Sequence, residues 1–294
     1  MSFLLSSALP HAAPRLALGA LAVIFIAGAR AQSTPALPAS ASTPAPQAAA
    51  APAGSNPASS GAPAPVRAAR TGTVTAAPRP PASTPGAAPF ARGEALHYNV
   101  NWPSGLSLGE AEFKVGGAEP GWDFEFNLDA SLPGFDIKDH YRSSADAQFC
   151  SQRLEKDSVH GPRKSKETIT YDQQKHDAKR KTDTGGESEL SVPDCVKDGL
   201  AFLYYIRREL AAGRLPAAQT VNFGSAYQVS VTYGAAQQME IGGVAQTADR
   251  IAVSFRGPAS SHTFEAFFAR DAARTPLVIR VPFSLGTFSL ELAR

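Results

Sequence analysis

From Leu96 onward the sequence alternates between apolar and polar residues, and this period of two restricts the available folds more than any other feature of the chain. Successive side chains of a strand point to opposite faces, so alternation describes a sheet with one dry and one wet side. Leu96, Tyr98, Val100 and Trp102 alternate with His97, Asn99 and Asn101, and Ala111, Phe113 and Val115 with Glu110, Glu112 and Lys114. Trp122, Phe124, Phe126, Leu128 and Ala130 against Asp123, Glu125, Asn127 and Asp129 give the clearest run. Similar runs follow at 141–149, 165–171, 227–233, 249–255, 264–268, 277–281 and 288–292, with turn pairs such as Pro120-Gly121, Gly185-Gly186 and Gly242-Gly243 between strands. The pattern predicts a mainly β fold, a large antiparallel sheet of about ten strands.

One segment changes period. Residues 196–212 (VKDGLAFLYYIRRELAA) place Leu203, Ile206 and Leu210 at helical spacing, after Pro193-Asp194 and before Gly213 and Pro216. A single amphipathic helix midway through a sheet is expected to pack on, or plug, the concave face, with Arg208 on its exposed side.

Composition sets the limits of this domain. No Asp or Glu precedes Glu94, and no aromatic residue lies between Phe25 and Phe90. Residues 1–31 carry Arg15, an apolar run from Leu16 to Ala27 and then Ala29-Arg30-Ala31, the layout of a secretory signal peptide cleaved after Ala31. That run is shorter than the roughly 20 residues that span a bilayer, so no transmembrane segment is expected in the mature chain. Residues 32–89 hold 13 Pro and 19 Ala among 58, a composition that cannot bury a core and reads as a disordered tether. Residues 90–294 remain as the folded domain. Five of the 28 Lys and Arg precede position 90, leaving 23 basic against 26 acidic residues in that domain. Nucleic-acid binding, which needs a positive surplus, is thereby disfavoured.

Cys150 and Cys195 are the only cysteines, and export would place them in an oxidising compartment. They either close a disulfide loop or remain two buried thiols.

Gly105-Leu106-Ser107-Leu108-Gly109 matches the G-x-S-x-G of a hydrolase nucleophile elbow, which requires a strand, a sharp turn and a helix. Here alternating strands flank the motif on both sides, so a β-hairpin is expected and no catalytic residue is assigned. His97, His140, His160, His176 and His262 lack metal-ligand spacing, and neither cysteine has a C-x-x-C partner, so neither metal nor cofactor is expected. Asp136, Asp139 and Asp146 read as solvated or capping groups. The basic run Lys175 to Lys181 reads as a solvated hairpin edge, with anionic lipid headgroups as the alternative partner.

Three groups of residues carry a family resemblance: Leu96-x-Tyr98-x-Val100-x-Trp102 with Gly105-Leu106 and Gly109-x-Ala111; Asp198-x-Leu200 with Leu203-Tyr204-Tyr205-x-Arg207; and Phe268-x-Arg270-Asp271 with Arg274-x-Pro276-Leu277 and Gly286. On these the chain resembles the bacterial family called domain of unknown function 3108, made of exported or envelope proteins. Its layout also resembles LolA/LolB-type lipoprotein carriers, which implies a strongly curved, incomplete β-barrel holding acyl chains against a helical plug. Trp102, Phe113, Trp122, Phe124, Phe126, Leu203 and Ile206 would then form an apolar ligand face. The expectation is a periplasmic, non-enzymatic protein that binds a lipid, a lipoprotein acyl chain or an envelope protein, with a scaffolding module of filled core as the alternative. Amino-terminal sequencing of chain recovered in a periplasmic extract should begin at Gln32; recovery in membranes with residues 1–31 attached would refute the export reading.

Overall fold

The computed structural model describes residues 88–294 apart from Pro133, Ala259, Ser284, Leu285 and Arg294, so the expected signal peptide and nearly all of the expected tether lie outside the described residues. Among the described residues fifteen strands form one sheet. In chain order they are β1 (Ala95–Asn101), β2 (Ser107–Gly116), β3 (Trp122–Leu132), β4 (Phe135–Ala145), β5 (Ser151–His160), β6 (Arg163–Asp172), β7 (Asp177–Thr182), β8 (Glu187–Ser191) and β9 (Lys197–Asp198). A single helix, α1 (Gly199–Ala211), separates these from β10 (Gln219–Asn222), β11 (Ala226–Ile241), β12 (Val244–Arg256), β13 (Ser261–Ala269), β14 (Pro276–Phe283) and β15 (Gly286–Leu292).

The spatial order runs from β8 down to β1, then from β15 down to β9. The fold is therefore two meanders, joined where the first and last strands pair, Tyr98 opposite Leu292. Among the described strands only β9 and β10 pair in parallel. The sheet is mainly antiparallel, curved and open, and its helix packs on the inner face.

The expected ten strands fall short of the observed fifteen. The five unforeseen strands are β5, β7, β8, β9 and β10. In β5 (SQRLEKDSVH), β7 (DAKRKT) and β8 (ESELS) both faces carry charged or polar residues, so no hydrophobic period marks them. Two and four residues are too few for β9 and β10 to show one. The fourth strand also ends at Ala145 rather than continuing to Phe149.

Helix α1 begins later than the periodicity suggested, because Lys197 and Asp198 pair with β10 first. Asp198, fully buried, then caps it: Oδ1 accepts from the amides of Leu200 (2.9 Å) and Ala201 (3.1 Å), and Oδ2 from Ser143 Oγ (2.5 Å) and Ser151 Oγ (2.7 Å). Burial pushes this carboxyl up from the ordinary range, and the four donors oppose the rise. Sequence thus ties the helix start to β4 and β5 through one side chain.

Near the other end of α1, Arg207 has no exposed side-chain surface. Its two terminal nitrogens donate to both oxygens of Glu94 (2.5 and 2.8 Å), and Nε and Nη2 donate to the carbonyl of Ala273 (3.1 and 3.0 Å). The guanidinium also lies 4.7 Å over Phe90 and 5.3 Å from the Tyr204 ring centre. Arg208, expected to be exposed, instead lies over Phe149 and Tyr205 and pairs with Glu209. Its long stem covers aromatic surface, which polar patterning does not reveal.

Cys150 and Cys195 are bonded, with Cα atoms 4.5 Å apart. The link joins the turn after β4 to the segment that enters β9.

Removing one partner of a buried ion pair leaves the other uncompensated, at about 3–5 kcal/mol. Glu94 is slightly exposed, so Glu94→Ala should cost about 3 kcal/mol in urea unfolding. Glu155→Ala, which loses a well-exposed pair with Arg153, should cost about 0.5 kcal/mol or less. Equal losses in the two variants would contradict the role given to Arg207.

Candidate functional site

The core beneath α1 has two parts, one filled and one not. On one side of the helix Tyr204 stacks on Phe124 at 4.3 Å and meets Phe90 edge-on at 4.9 Å. Trp122 and Phe149 stack at 5.8 Å in the same group, and Arg92 lies 4.1 Å over the Trp122 ring. These rings occupy their side of the interior.

On the other side, Phe202, Leu203 and Ile206 of α1 face Phe113, Phe126 and Leu128 of β2–β3, and Phe255, Phe264, Ile279, Val281, Phe288 and Leu290 of β12–β15. A cavity remains between them. The space open to the centre of a water molecule is about 60 Å³, within about 800 Å³ of non-atom space that extends into open solvent. Water needs two to four polar partners to occupy a cavity, and these walls are almost wholly hydrocarbon. Gly199, Leu203, Phe255 and Phe264 are its partly exposed lining residues, which puts the mouth between α1 and β12–β13.

Gly199 matters to the wall. A Cβ there would sit 1.7 Å from Phe223 Cε1, so only glycine at the first helical position lets the Phe223 ring reach the cavity.

Asp139 is the one charged residue in the lining. On β4 it shares a face with Ile137 and Tyr141, its side chain is 2% exposed, and its Oδ1 lies 3.0 Å from His160 Nε2. A carboxylate only accepts, so His160 donates. The expectation that Asp136, Asp139 and Asp146 are solvated or capping groups therefore fails for Asp139. Asp136 accepts from Ser131 at the surface, and Asp146 caps the following turn by accepting from the amides of Gln148 and Cys150.

Of the seven residues assigned to a ligand face, Phe113, Phe126, Leu203 and Ile206 line the cavity. Trp102 stands one layer back, edge-on to Phe288 at 4.6 Å, while Trp122 and Phe124 belong to the filled aromatic group. The residues that sequence missed come mostly from β12–β15. There both parities are apolar, since Phe267, Leu277 and Val278 form a second buried cluster apart from the main core, and parity alone does not say which face is inner. Asp139 could have been found from its parity with Ile137 and Tyr141.

The G-x-S-x-G motif forms a hairpin. Ser107 is exposed, opens β2 and pairs with Asn101, and no helix follows it. A Cβ on Gly109 would lie 2.1 Å from the Asp129 carbonyl oxygen, so that glycine serves a close strand approach. The basic run is largely neutralised within the sheet: Lys175 pairs with Asp172, Lys181 with Glu187, and Arg180 with Glu167. A polar depression of about 500 Å³ crosses β2–β5, but its charges alternate through Lys114, Glu125, Arg142 and Glu155, so it favours neither sign of ligand. Among the described residues no helix is long and apolar enough to cross a membrane.

An open β sheet wrapped on one helix, with an apolar cavity beside it, defines a β-barrel-like class of protein. The chain belongs to the family described as protein of unknown function (DUF3108), whose model matches residues 97–293. A crystal structure of a β-barrel-like protein of domain of unknown function DUF1849 from Brucella abortus is similar, with a TM-score of 0.51 and 8% identity over 68% of this chain and 95% of that one. At that identity it shows the fold alone. A protein with a YmcC-like fold from Bacteroides fragilis aligns over 69% of this chain and 97% of its own, at 8% identity and a TM-score of 0.25, too low to carry an argument. No curated protein matches by sequence.

Proposed function

We propose that the chain is an exported, non-enzymatic periplasmic protein that holds an apolar or lipid-like ligand between α1 and the inner face of its sheet, with residues 32–89 as a tether. The observation that carries this reading is the lining: hydrocarbon from both meanders and from the helix surrounds unfilled space, in a core whose other side is packed ring on ring. Native interiors leave few voids larger than a water molecule, because lost contacts are costly, so an open apolar cavity is a feature to be explained. Apolar ligands bind where such walls are preformed.

The sequence supports the compartment through its signal-peptide layout, and the resemblance to LolA/LolB-type carriers supports the ligand class by analogy of fold. A free interior of about 60 Å³ is small, and this favours a slim chain over a bulky lipid. The same smallness favours the second reading, a scaffolding module whose core is nearly full.

Native mass spectrometry of the chain purified from the periplasm separates the two. Ligand binding predicts discrete added mass on the parent protein. Leu203→Trp, which puts an indole ring in place of a smaller aliphatic side chain at the half-buried mouth, should abolish that mass while the melting temperature stays within about 3 °C, since a surface-side change of under about 0.5 kcal/mol moves it little. A parent that carries no added mass points to the scaffolding module.

A further inference from the structure

The lining is polar at one place only, and that place has a chemistry. Asp139 stands at the β4 wall, directly opposite Leu128 of β3 and Ser158 of β5. Behind it the inner face of β4–β7 is a network of buried and partly buried polar groups. Tyr141 Oη lies 3.2 Å from Ser158 Oγ, Lys156 Nζ donates to Glu167 at 2.7 Å and lies 5.6 Å from the Tyr141 ring centre, and Arg180 pairs with the same Glu167. Lys156 and Arg180 are thus engaged with Glu167, whose carboxyl they pull down against its burial. Asp139 accepts from His160, itself 16% exposed, and the Tyr141 phenol beside it on β4 also hydrogen-bonds to this carboxylate.

From this arrangement, and resting on the cavity reading above, we infer that the ligand is an amphiphile whose polar end donates hydrogen bonds to Asp139, an ammonium or a hydroxyl on an apolar chain, and that carboxylate-ended chains are excluded. A carboxylate accepts at both oxygens and donates at neither, so it is matched by a donor. An anionic end brought beside it places like charges together where little water screens them, and such juxtapositions are strongly unfavourable. A chain entering at the mouth between α1 and β12–β13 would lie along the Phe and Ile walls with its end at Asp139. No buried cation faces the cavity to receive an acid, because its lining contains none.

The experiment uses the full processed chain and three probes of one chain length, dodecylamine, dodecanol and dodecanoate, each below micelle-forming concentration, with dissociation constants from native mass spectrometry and calorimetry. Dodecylamine and dodecanol should bind at least tenfold more tightly than dodecanoate. In Asp139→Asn the preference should collapse to within about threefold, because the amide both donates and accepts. His160→Gln, which keeps a donor toward Asp139, should retain the preference and shows that the carboxylate sets it. Equal binding of all three probes by the parent, or a preference for dodecanoate, overturns this inference and leaves the cavity reading standing. A folded Asp139→Asn that keeps the tenfold preference also overturns it. Binding of none of the three by the parent removes the cavity reading itself. Should Asp139→Asn not fold, the parent series decides alone.

Discussion

A guanidinium without exposed surface holds this fold together. Arg207 reaches from the helix to Glu94, just ahead of the first strand, and to Ala273 in the turn between β13 and β14, so one side chain fastens α1 to both meanders. Nearby, Tyr98 Oη donates to the Pro276 carbonyl at 2.7 Å, a second link between the same two regions. Arginine suits the place because its planar fork meets a carboxylate with two parallel bonds and stacks on rings, here Phe90 and Tyr204. Asp198 does the corresponding work at the helix start by accepting from Ser143 and Ser151. An open fifteen-stranded sheet has no closing seam of its own. Its inner face is kept dry by a helix anchored at both ends.

That anchoring changes how the helix should be viewed. Freeing α1 would separate a buried, bidentate ion pair, at about 3–5 kcal/mol, and uncap the helix at Asp198, at about 1–2 kcal/mol more. The helix is better described as a wall than as a plug, and the cavity lies along its side rather than beneath a moving cover. The division of the core follows from the same geometry: Tyr204 and Arg207 point to the filled aromatic side, while Phe202, Leu203 and Ile206 point to the open one.

Much of the architecture was legible in the sequence because strands with one wet face carry their own signal. Leu96 to Trp102 and Trp122 to Ala130 show it plainly, as does the shift to helical spacing at Leu203, Ile206 and Leu210. The signal disappears where the inner face is polar: Lys156, Ser158, His160, Glu167 and Arg180 point inward but read as surface. Where both faces are apolar, as in FEAFFA of β13, the strand is still legible but its parity no longer says which face is inner. Both failures concern the cavity. Polar inner strands conceal the network behind Asp139, and doubly apolar strands conceal which residues form the wall opposite. Phe113, Phe126, Leu203 and Ile206 were readable because their strands and helix have one dry face. The pairing of Arg207 with Glu94, 113 positions apart, lies beyond any local pattern.

Whether α1 is a fixed wall can be read from amide hydrogen exchange across the helix. A helix held by Asp198 and Arg207 opens only when the domain unfolds, so the amides from Phe202 to Leu210 should exchange as slowly as those of β3 and β14 and should show the same dependence on denaturant. Exchange of those amides orders of magnitude faster than the neighbouring strands, with the sheet still protected, would make α1 a mobile plug rather than a wall.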